Sequence, residues 1–405
     1  MQKKIEDIAF AAANHYISKY PNADGSSTTQ FYAKETSKLF LDALVQGSPE
    51  ETEDLNASEA FPEIVEAKET FFDMFTMERG FLDEALATKF FRPLEEIRNY
   101  CTKIRFGNQS FGVESARVAK KVLMDVQKTL TDVEFADFVF DRSQAEALEV
   151  MSIFSSALEG CVLRSFSLSL NELAEETIKA FVPLLKSQKM LEELKFNYFY
   201  ISVEAARAIC ELLPSIERIK SLHFHYNDSG DDAAETLSLL VKKCIALEDF
   251  EFSASEIGTR GAIALAGALS EGSRLKMLNL TDNMFGTKGG IPLSQVVSRH
   301  LGLTEVYFRH MNLEDEGVIA IADSLKDAAQ SLRVLMIGGN NITSKAAPAL
   351  AACLAEKKLL TTFSAAGNKL EDVGSIKICK AISKGHEQLR VLDLSANAMT
   401  VIGVS

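Results

Sequence analysis

Residues 275–283 read LKMLNLTDN, with leucine at the first, fourth and sixth places and asparagine at the ninth. The same frame returns on both sides. Towards the C-terminus it stands at Leu303 (LTEVYFRHM), Leu332 (LRVLMIGGN), Leu360 (LTTFSAAGN) and Leu389 (LRVLDLSAN). Towards the N-terminus it stands at Leu247 (LEDFEFSAS), Ile219 (IKSLHFHYN), Leu191 (LEELKFNYF) and Leu163 (LRSFSLSLN). From Leu163 to Leu389 the intervals are 28, 28, 28, 28, 28, 29, 28 and 29. Two weaker copies, at Leu130 (LTDVEFADF) and Cys101 (CTKIRFGNQ), bring the registers to eleven. A fixed period of this length marks a chain built from stacked copies of one small unit. Positions are counted from the first residue of a register, so Leu278 is +3 and Asn283 is +8.

Each unit divides in two. The first part reads as a short strand whose +3 and +5 side chains, such as Leu278 and Leu280, face a core. The +8 asparagine is expected to bond backbone groups of its own turn and of the next repeat. The second part has helical spacing. AARAICELL after Leu191 and AAPALAACLAE after Leu332 place apolar residues on one face, with small residues letting the helix approach the strand. One unit cannot bury its apolar face alone, but a stack can. The expected fold is therefore α/β: a leucine-rich-repeat solenoid of the ribonuclease-inhibitor-like horseshoe type, suited to binding another protein.

Two irregularities stand out. The interval from Leu130 to Leu163 is 33, and the extra length follows the strand, in FVFDRSQAEALEVM. Insertions in such repeats map to loops, often on the binding face. Arg142 lies in this stretch, and the sequence leaves it open between a solvated and a partner-contacting side chain. The last register, at Leu389, has its strand and turn but little of its helix. The chain is expected to be truncated there, or to end atypically.

Upstream, IEDIAFAAANHYI and FYAKETSKLFLDALV read as amphipathic helices in a small partial helical domain over 1–46. GSPEETEDLNASEAFPE begins an acidic linker over 47–69. Residues 70–405 form the repeat domain, with 70–100 as its N-terminal cap.

The formal charge is −14, from 43 basic and 57 acidic side chains. Such a chain repels nucleic-acid backbones and acidic lipid headgroups and suits a basic partner surface. No secretory signal and no bilayer-length apolar run is visible, which predicts a soluble, cytoplasmic protein without membrane insertion. The six cysteines form no C-x-x-C pair and sit in apolar segments, so buried, reduced thiols are expected.

Motifs for chemistry are scarce. There is no phosphate-binding P-loop, no G-x-S-x-G and no H-E-x-x-H. Gly286, Gly289 and Gly290 in GTKGGIP read as a repeat turn. His223 and His225 share one strand face with Asp249 and Glu251 beside them. A metal site would need more ligands, and a polar, oppositely charged surface is the expected reading.

KIRFGNQSFGVESARVAKKVL, FADFVFDRSQAEALEVMSIFSSALEG, LHFHYNDSGDDAA, LTDNMFGTKGG and MNLEDEGVIAIADSLK resemble plant Ran GTPase-activating proteins. KIEDIAFAAANHYI and DGSSTTQFYAKETSKLFLDAL resemble the second half of the WPP domain of those proteins, without the Trp-Pro-Pro motif itself. The resemblance spans nearly the whole chain. It implies a non-enzymatic activator that binds the GTP-bound form of Ran, a nuclear-transport GTPase, and accelerates its GTP hydrolysis. GTP and magnesium would be carried by Ran, and the chain would need no cofactor. Such proteins are understood to position Ran's own catalytic glutamine. The resemblance makes Arg142 the family's loop arginine and Asn171 an asparagine at a strand end. It puts Tyr198 where the family has an asparagine close to Ran's glutamine, with Asn197 one place earlier. Arg142, Asn171, Asn197 and Tyr198 are thus the implied partner-binding residues. The Tyr198 departure implies reduced activity, the alternative being a Ran-binding scaffold. WPP-interacting partners at the nuclear envelope are a further implication.

Overall fold

The computed structural model describes residues 71–76, 78–171, 174–214 and 216–400. The chain divides after Glu66, and all of these belong to the second unit. The expected N-terminal helices, the acidic linker and residues 401–405 lie outside the described residues.

Fourteen strands are described: β1 (Phe71–Asp73), β2 (Gly80–Leu82), β3 (Lys103–Gly107), β4 (Gln109–Phe111), β5 (Asp132–Ala136), β6 (Ser165–Asn171), β7 (Glu193–Phe199), β8 (Ser221–His225), β9 (Asp249–Ser253), β10 (Met277–Asn279), β11 (Glu305–Tyr307), β12 (Val334–Met336), β13 (Thr362–Ser364) and β14 (Val391–Asp393). All but β2 and β4 form one parallel sheet in chain order, and β2 pairs with β4 separately. Consecutive strands pair residue for residue at the repeat interval, as Leu278 does with Phe250 and Val306. A helix follows the repeat strands up to β13, and successive helices pack together. Strands sit about 4.8 Å apart, whereas helices need about 10 Å. The strand layer therefore takes the inside of the curve. This is the leucine-rich-repeat solenoid that the period predicts.

The expected cap at 70–100 contains a repeat of its own. Phe71, Phe72 and Asp73 pair with Lys103, Ile104 and Arg105, which sets a twelfth register beginning at residue 69. Its strand carries Phe72 at +3 and lacks the leucine frame. The oversized repeat carries its extra length after the strand, as expected. Its helix begins at Gln144, 14 residues after Leu130, against 11 from Ile219 to Gly230 (144 − 130 and 230 − 219). Its helix has 15 residues against 14 there, so most of the extra length lies in the turn before the helix.

The +3 and +5 side chains of the registers from Cys101 to Leu360 are buried as expected, Leu278 and Leu280 completely, while Leu392 in the last register is exposed. The asparagine bonds require a correction. They run to the preceding repeat, not the next. Asn283 accepts from the backbone N–H of Ser255 (3.3 Å) and Ile257 (3.1 Å) and donates to the carbonyl oxygens of Phe252 (2.7 Å) and Leu280 (2.9 Å). Asn340 accepts from Met311 (3.0 Å) and Leu313 (3.3 Å) and donates to Phe308 (2.6 Å) and Ile337 (3.0 Å). Asn368 and Asn397 repeat the pattern. The chain turns sharply just before each asparagine. Position +7 has positive φ at Asn108, Asp137, Asp282, Gly339, Gly367 and others. That turn exposes backbone groups that strand pairing cannot satisfy, and the amide side chain of the repeat stacked above reaches them.

A second ladder lies at the other end of the repeat, at −3. Gln188 accepts from the N–H of Leu163 (2.8 Å) and donates to the carbonyl of Cys161 (3.3 Å). His300 Nδ1 accepts from the N–H of Leu275 (3.0 Å), and Nε2 lies 2.9 Å from the carbonyl of Leu269. The first bond requires an unprotonated Nδ1, so the ring is neutral with its proton on Nε2. Lys357 donates to the carbonyls of Ala328 (2.7 Å) and Lys326 (3.1 Å). These side chains tie a helix end of one repeat to the next.

The thiols only partly follow expectation. Cys101, Cys161, Cys244 and Cys353 are buried, but Cys210 is half-buried and Cys379 exposed. Burial pushes Cys101 up to about 11 and Cys161, Cys244 and Cys353 up to about 12. These four are unreactive at neutral pH. Gly286 does take a left-handed turn, but Gly286–Gly290 is a helical turn. A Cβ on Gly289 would come within 2.9 Å of the Ala262 Cβ, so this glycine permits close helix packing.

Two predictions follow from the ladders. Asn340→Ala strands at least three buried backbone groups, each costing about 1–3 kcal/mol. The unfolding free energy should fall by about 3 kcal/mol in urea titration, and an unchanged midpoint would refute the ladder's role. Burial chiefly lowers the His300 pKa from its ordinary 6.5, and Arg299 adds to this, while the Leu269 carbonyl opposes it. Below pH 6.5 the unfolded chain then binds a proton that the folded one resists, so stability falls as pH drops through that window. Gln188 accepts the equivalent N–H bond without titrating and donates to a nearby carbonyl. His300→Gln should therefore hold its stability better than the wild type between pH 7.5 and 5.5 in urea titrations at each pH.

Candidate functional site

The implied partner-binding residues follow three neighbouring strands. Arg142 lies in the turn after β5, Asn171 ends β6, and Asn197 and Tyr198 lie near the end of β7. In the sheet, Ala136 pairs with Ser169, Ser169 with Asn197, and Asn171 with Phe199. The repeat thus gathers these segments at one rim.

Arg142 is not a free loop side chain. Asp141, with φ 55°, turns the chain so that the guanidinium folds back on the preceding repeat. Its Nε donates to Ser110 Oγ (3.1 Å) and its Nη2 to the Ser110 carbonyl (2.8 Å). Nη1 pairs with Glu146 Oε1 at 3.2 Å, and the guanidinium lies 5.0 Å from the centre of the Phe81 ring. Only 18% of the side chain is exposed. These partners lie in its own helix or to its N-terminal side, away from β6 and β7. Of the two readings the sequence leaves open, the solvated one does not hold, and the contacts made are internal. Beside it is a shallow cleft of about 630 Å³ whose lining includes Phe81, Asp83, Glu84, Glu114 and Glu146. Four carboxylates around one committed arginine make it hostile to phosphate.

The backbone of Asn171 is in place as the last residue of β6, and its side chain is outside the description. Asn197 shares a row of the sheet with Ser169 and His225. Tyr198 leaves that row. Its φ is 54°, and half of its surface is exposed. One repeat on, Tyr226 (φ 55°) does the same at the equivalent +7 position. The two rings are stacked, with centroids 5.1 Å apart and planes 9° from parallel. His225 meets both edge-on, at 5.6 Å and 4.8 Å. Tyr226 is absent from the residues that the sequence singles out. Aligning the +7 places of the registers would have found it, since 226 − 198 is 28.

Next to this pair the strands carry close polar contacts. His223 Nε2 is 2.9 Å from Asp249 Oδ1, and His225 Nδ1 is 2.6 Å from Ser253 Oγ and 3.2 Å from Glu251 Oε1. This is a polar surface with carboxylates beside the histidines, as the sequence suggests. Among the described residues no group of three or more His, Cys, Asp or Glu is arranged to hold a metal ion.

The chain is 54% identical to RAN GTPase-activating protein 2 of Arabidopsis thaliana over 396 residues, covering 98% of this chain and 72% of that protein. The chain belongs to the plant RAN GTPase-activating protein family. A second relative in this family, RAN GTPase-activating protein 1 of the same plant, is 47% identical over 192 residues, which is 47% of this chain and 34% of that protein. The WPP domain family model matches residues 1–54. Within the family fold, Arg142 joins the turn of its own repeat to that of the preceding one. Arg142→Ala should lower the unfolding free energy by about 2 kcal/mol, the range for hydrogen bonds from a charged group. Arg142→Lys should recover little, because one ammonium cannot reproduce the fork that spans Ser110 and Glu146. Equal urea midpoints for wild type and Arg142→Ala would overturn the assignment.

Proposed function

We propose that this chain binds the GTP-bound form of Ran and accelerates its hydrolysis of GTP, the chemistry taking place in the partner. The observation that carries this is 54% identity across 98% of the chain to a RAN GTPase-activating protein. GTP and its magnesium belong to Ran. The absence of a P-loop from the sequence and the acidic lining of the cleft beside Arg142 support this division of labour.

Activation by an inserted arginine requires a guanidinium free to enter the partner's site. Arg142 has its nitrogens committed to Ser110 and Glu146. That supports activation by positioning, in which a rigid surface holds Ran's own glutamine and attacking water in place. In this reading Asn171 and Asn197 offer polar contacts at the strand ends, and Tyr198 stands where the family has an asparagine. An aromatic ring cannot supply an amide's hydrogen bonds to the glutamine, so the rate is reduced. A Ran-binding scaffold is the second reading, favoured by the same Tyr198. The WPP match over 1–54 supports partners at the nuclear envelope and a cytoplasmic location facing it.

Single-turnover hydrolysis of GTP on Ran, with and without the full chain, tests the proposal. Acceleration is expected, and no acceleration at saturating chain would leave the scaffold reading. Tyr198→Asn should raise the saturated rate by roughly tenfold or more, within the range for a restored transition-state hydrogen bond. An unchanged rate would remove Tyr198 as the cause of reduced activity.

A further inference from the structure

The stacked tyrosines call for an explanation that packing does not provide. Tyr198 and Tyr226 are 49% and 55% exposed, and Tyr200 beside them is 60% exposed. Burial therefore cannot account for their rings. Both stacked residues also hold φ near +55°. For residues with a Cβ this conformation costs about 1–2 kcal/mol. Apart from Leu170 in the Leu163 register, the other registers from 101 onward fill the place with Asn, Asp, Gly, Ala or His. Two aromatic residues thus stand at adjacent +7 places against local preference, joined face to face and facing solvent.

The surroundings specify what such a platform would receive. The faces of the two rings carry the negative side of the aromatic quadrupole. His225, which touches both rings, is held by Glu251. Along the +2 and +4 rows from β5 to β11 the sheet presents Asp132, Glu134, Glu193, Asp249, Glu251 and Glu305, against one lysine, Lys195. The net charge of −14 adds a long-range field of the same sign. A ring pair above an acidic floor attracts a cation twice, through the quadrupole at contact and through the carboxylates at a distance. The ring spacing of 5.1 Å leaves no room to insert a group between them, so the cation must pack on an outer face.

We infer that the Tyr198–Tyr226 stack is a docking platform for a lysine or arginine side chain on the GTPase partner. This rests on the Ran-binding reading and adds to it the contact that supports affinity. Tyr198 then has two opposed effects: it withholds an amide from the catalytic glutamine and holds the partner by its ring. Tyr198→Asn should speed the saturated reaction while weakening binding.

The test measures binding of the full chain to Ran loaded with a non-hydrolysable GTP analogue, at low and moderate salt. Tyr226→Ala should weaken binding roughly five- to tenfold, the scale of a cation–π contact. Its affinity should also depend less on salt. Tyr226→Phe keeps the ring and should stay within about twofold. The backbone accepts alanine here, since Ala254 and Ala396 hold positive φ at the equivalent places. If Tyr226→Ala binds as well as the wild type, or better, the platform is refuted and the Ran reading stands. If Tyr226→Phe loses as much as Tyr226→Ala, the hydroxyl rather than the ring face is responsible, and the inference again fails. If the wild-type chain does not bind loaded Ran, both fall together.

Discussion

The fold depends on satisfying the backbone at one turn, the left-handed corner after each strand. Parallel pairing ends there, and peptide groups of every repeat would be buried without partners. In the C-terminal half the answer is an amide. Asn283, Asn340, Asn368 and Asn397 each bridge their own turn and the preceding one. In the N-terminal half the asparagine is mostly missing. Phe138 occupies the +8 place and packs against Phe135 at 4.7 Å and Phe154 at 5.6 Å. Phe91, Phe106, Phe111, Phe166 and Phe181 extend the same cluster. The early repeats are thus held by aromatic packing and the later ones by a hydrogen-bonded ladder. The polar links that remain early are individual ones, and Arg142 reaching Ser110 is among them.

The same corner decides where function can sit. A residue at +7 with positive φ sends its side chain beyond the strand end, clear of the core. Each repeat therefore offers one variable side chain at the rim. Asp282, Gly339 and Gly367 keep the position small, whereas Tyr198 and Tyr226 place large rings there. Their partnership is a consequence of the period: residues 28 apart stand on adjacent strands, so two tyrosines become one stacked unit.

What the sequence reveals follows from what is periodic. The registers from 101 to 389 were legible because the strand spacing enforces a leucine frame. The strand at Phe71–Asp73 was not, since the end of a stack has a neighbour on one side only and is free of that frame. The direction of the asparagine bonds was not legible either. It depends on how one turn sits over the previous one, and both alternatives satisfy the same sequence. Arg142 could be picked out by its insertion, but its role depends on Ser110 and Phe81, 32 and 61 positions earlier (142 − 110 and 142 − 81), brought near by the pairing of β2 with β4. No local pattern encodes such a contact.

A surface that works by positioning must be stiff, and several repeats here are tied at one or both ends. The +8 amides fix the strand's exit, and the −3 side chains Gln188, His300 and Lys357 fix the point where the chain returns to the next strand. These −3 groups differ in chemistry, yet each reaches backbone at the end of the preceding repeat's helix or the segment after it, which argues that the constraint lies in the stack rather than in any one residue. With entry and exit tied, a strand has little freedom to tilt against its neighbour. Residues at the rim of β6 and β7 share one paired register, Ser169 beside Asn197 and Asn171 beside Phe199. Asn197 and Tyr198 differ from the residues at the same places in neighbouring repeats while β7 keeps its pairing with β6 and β8.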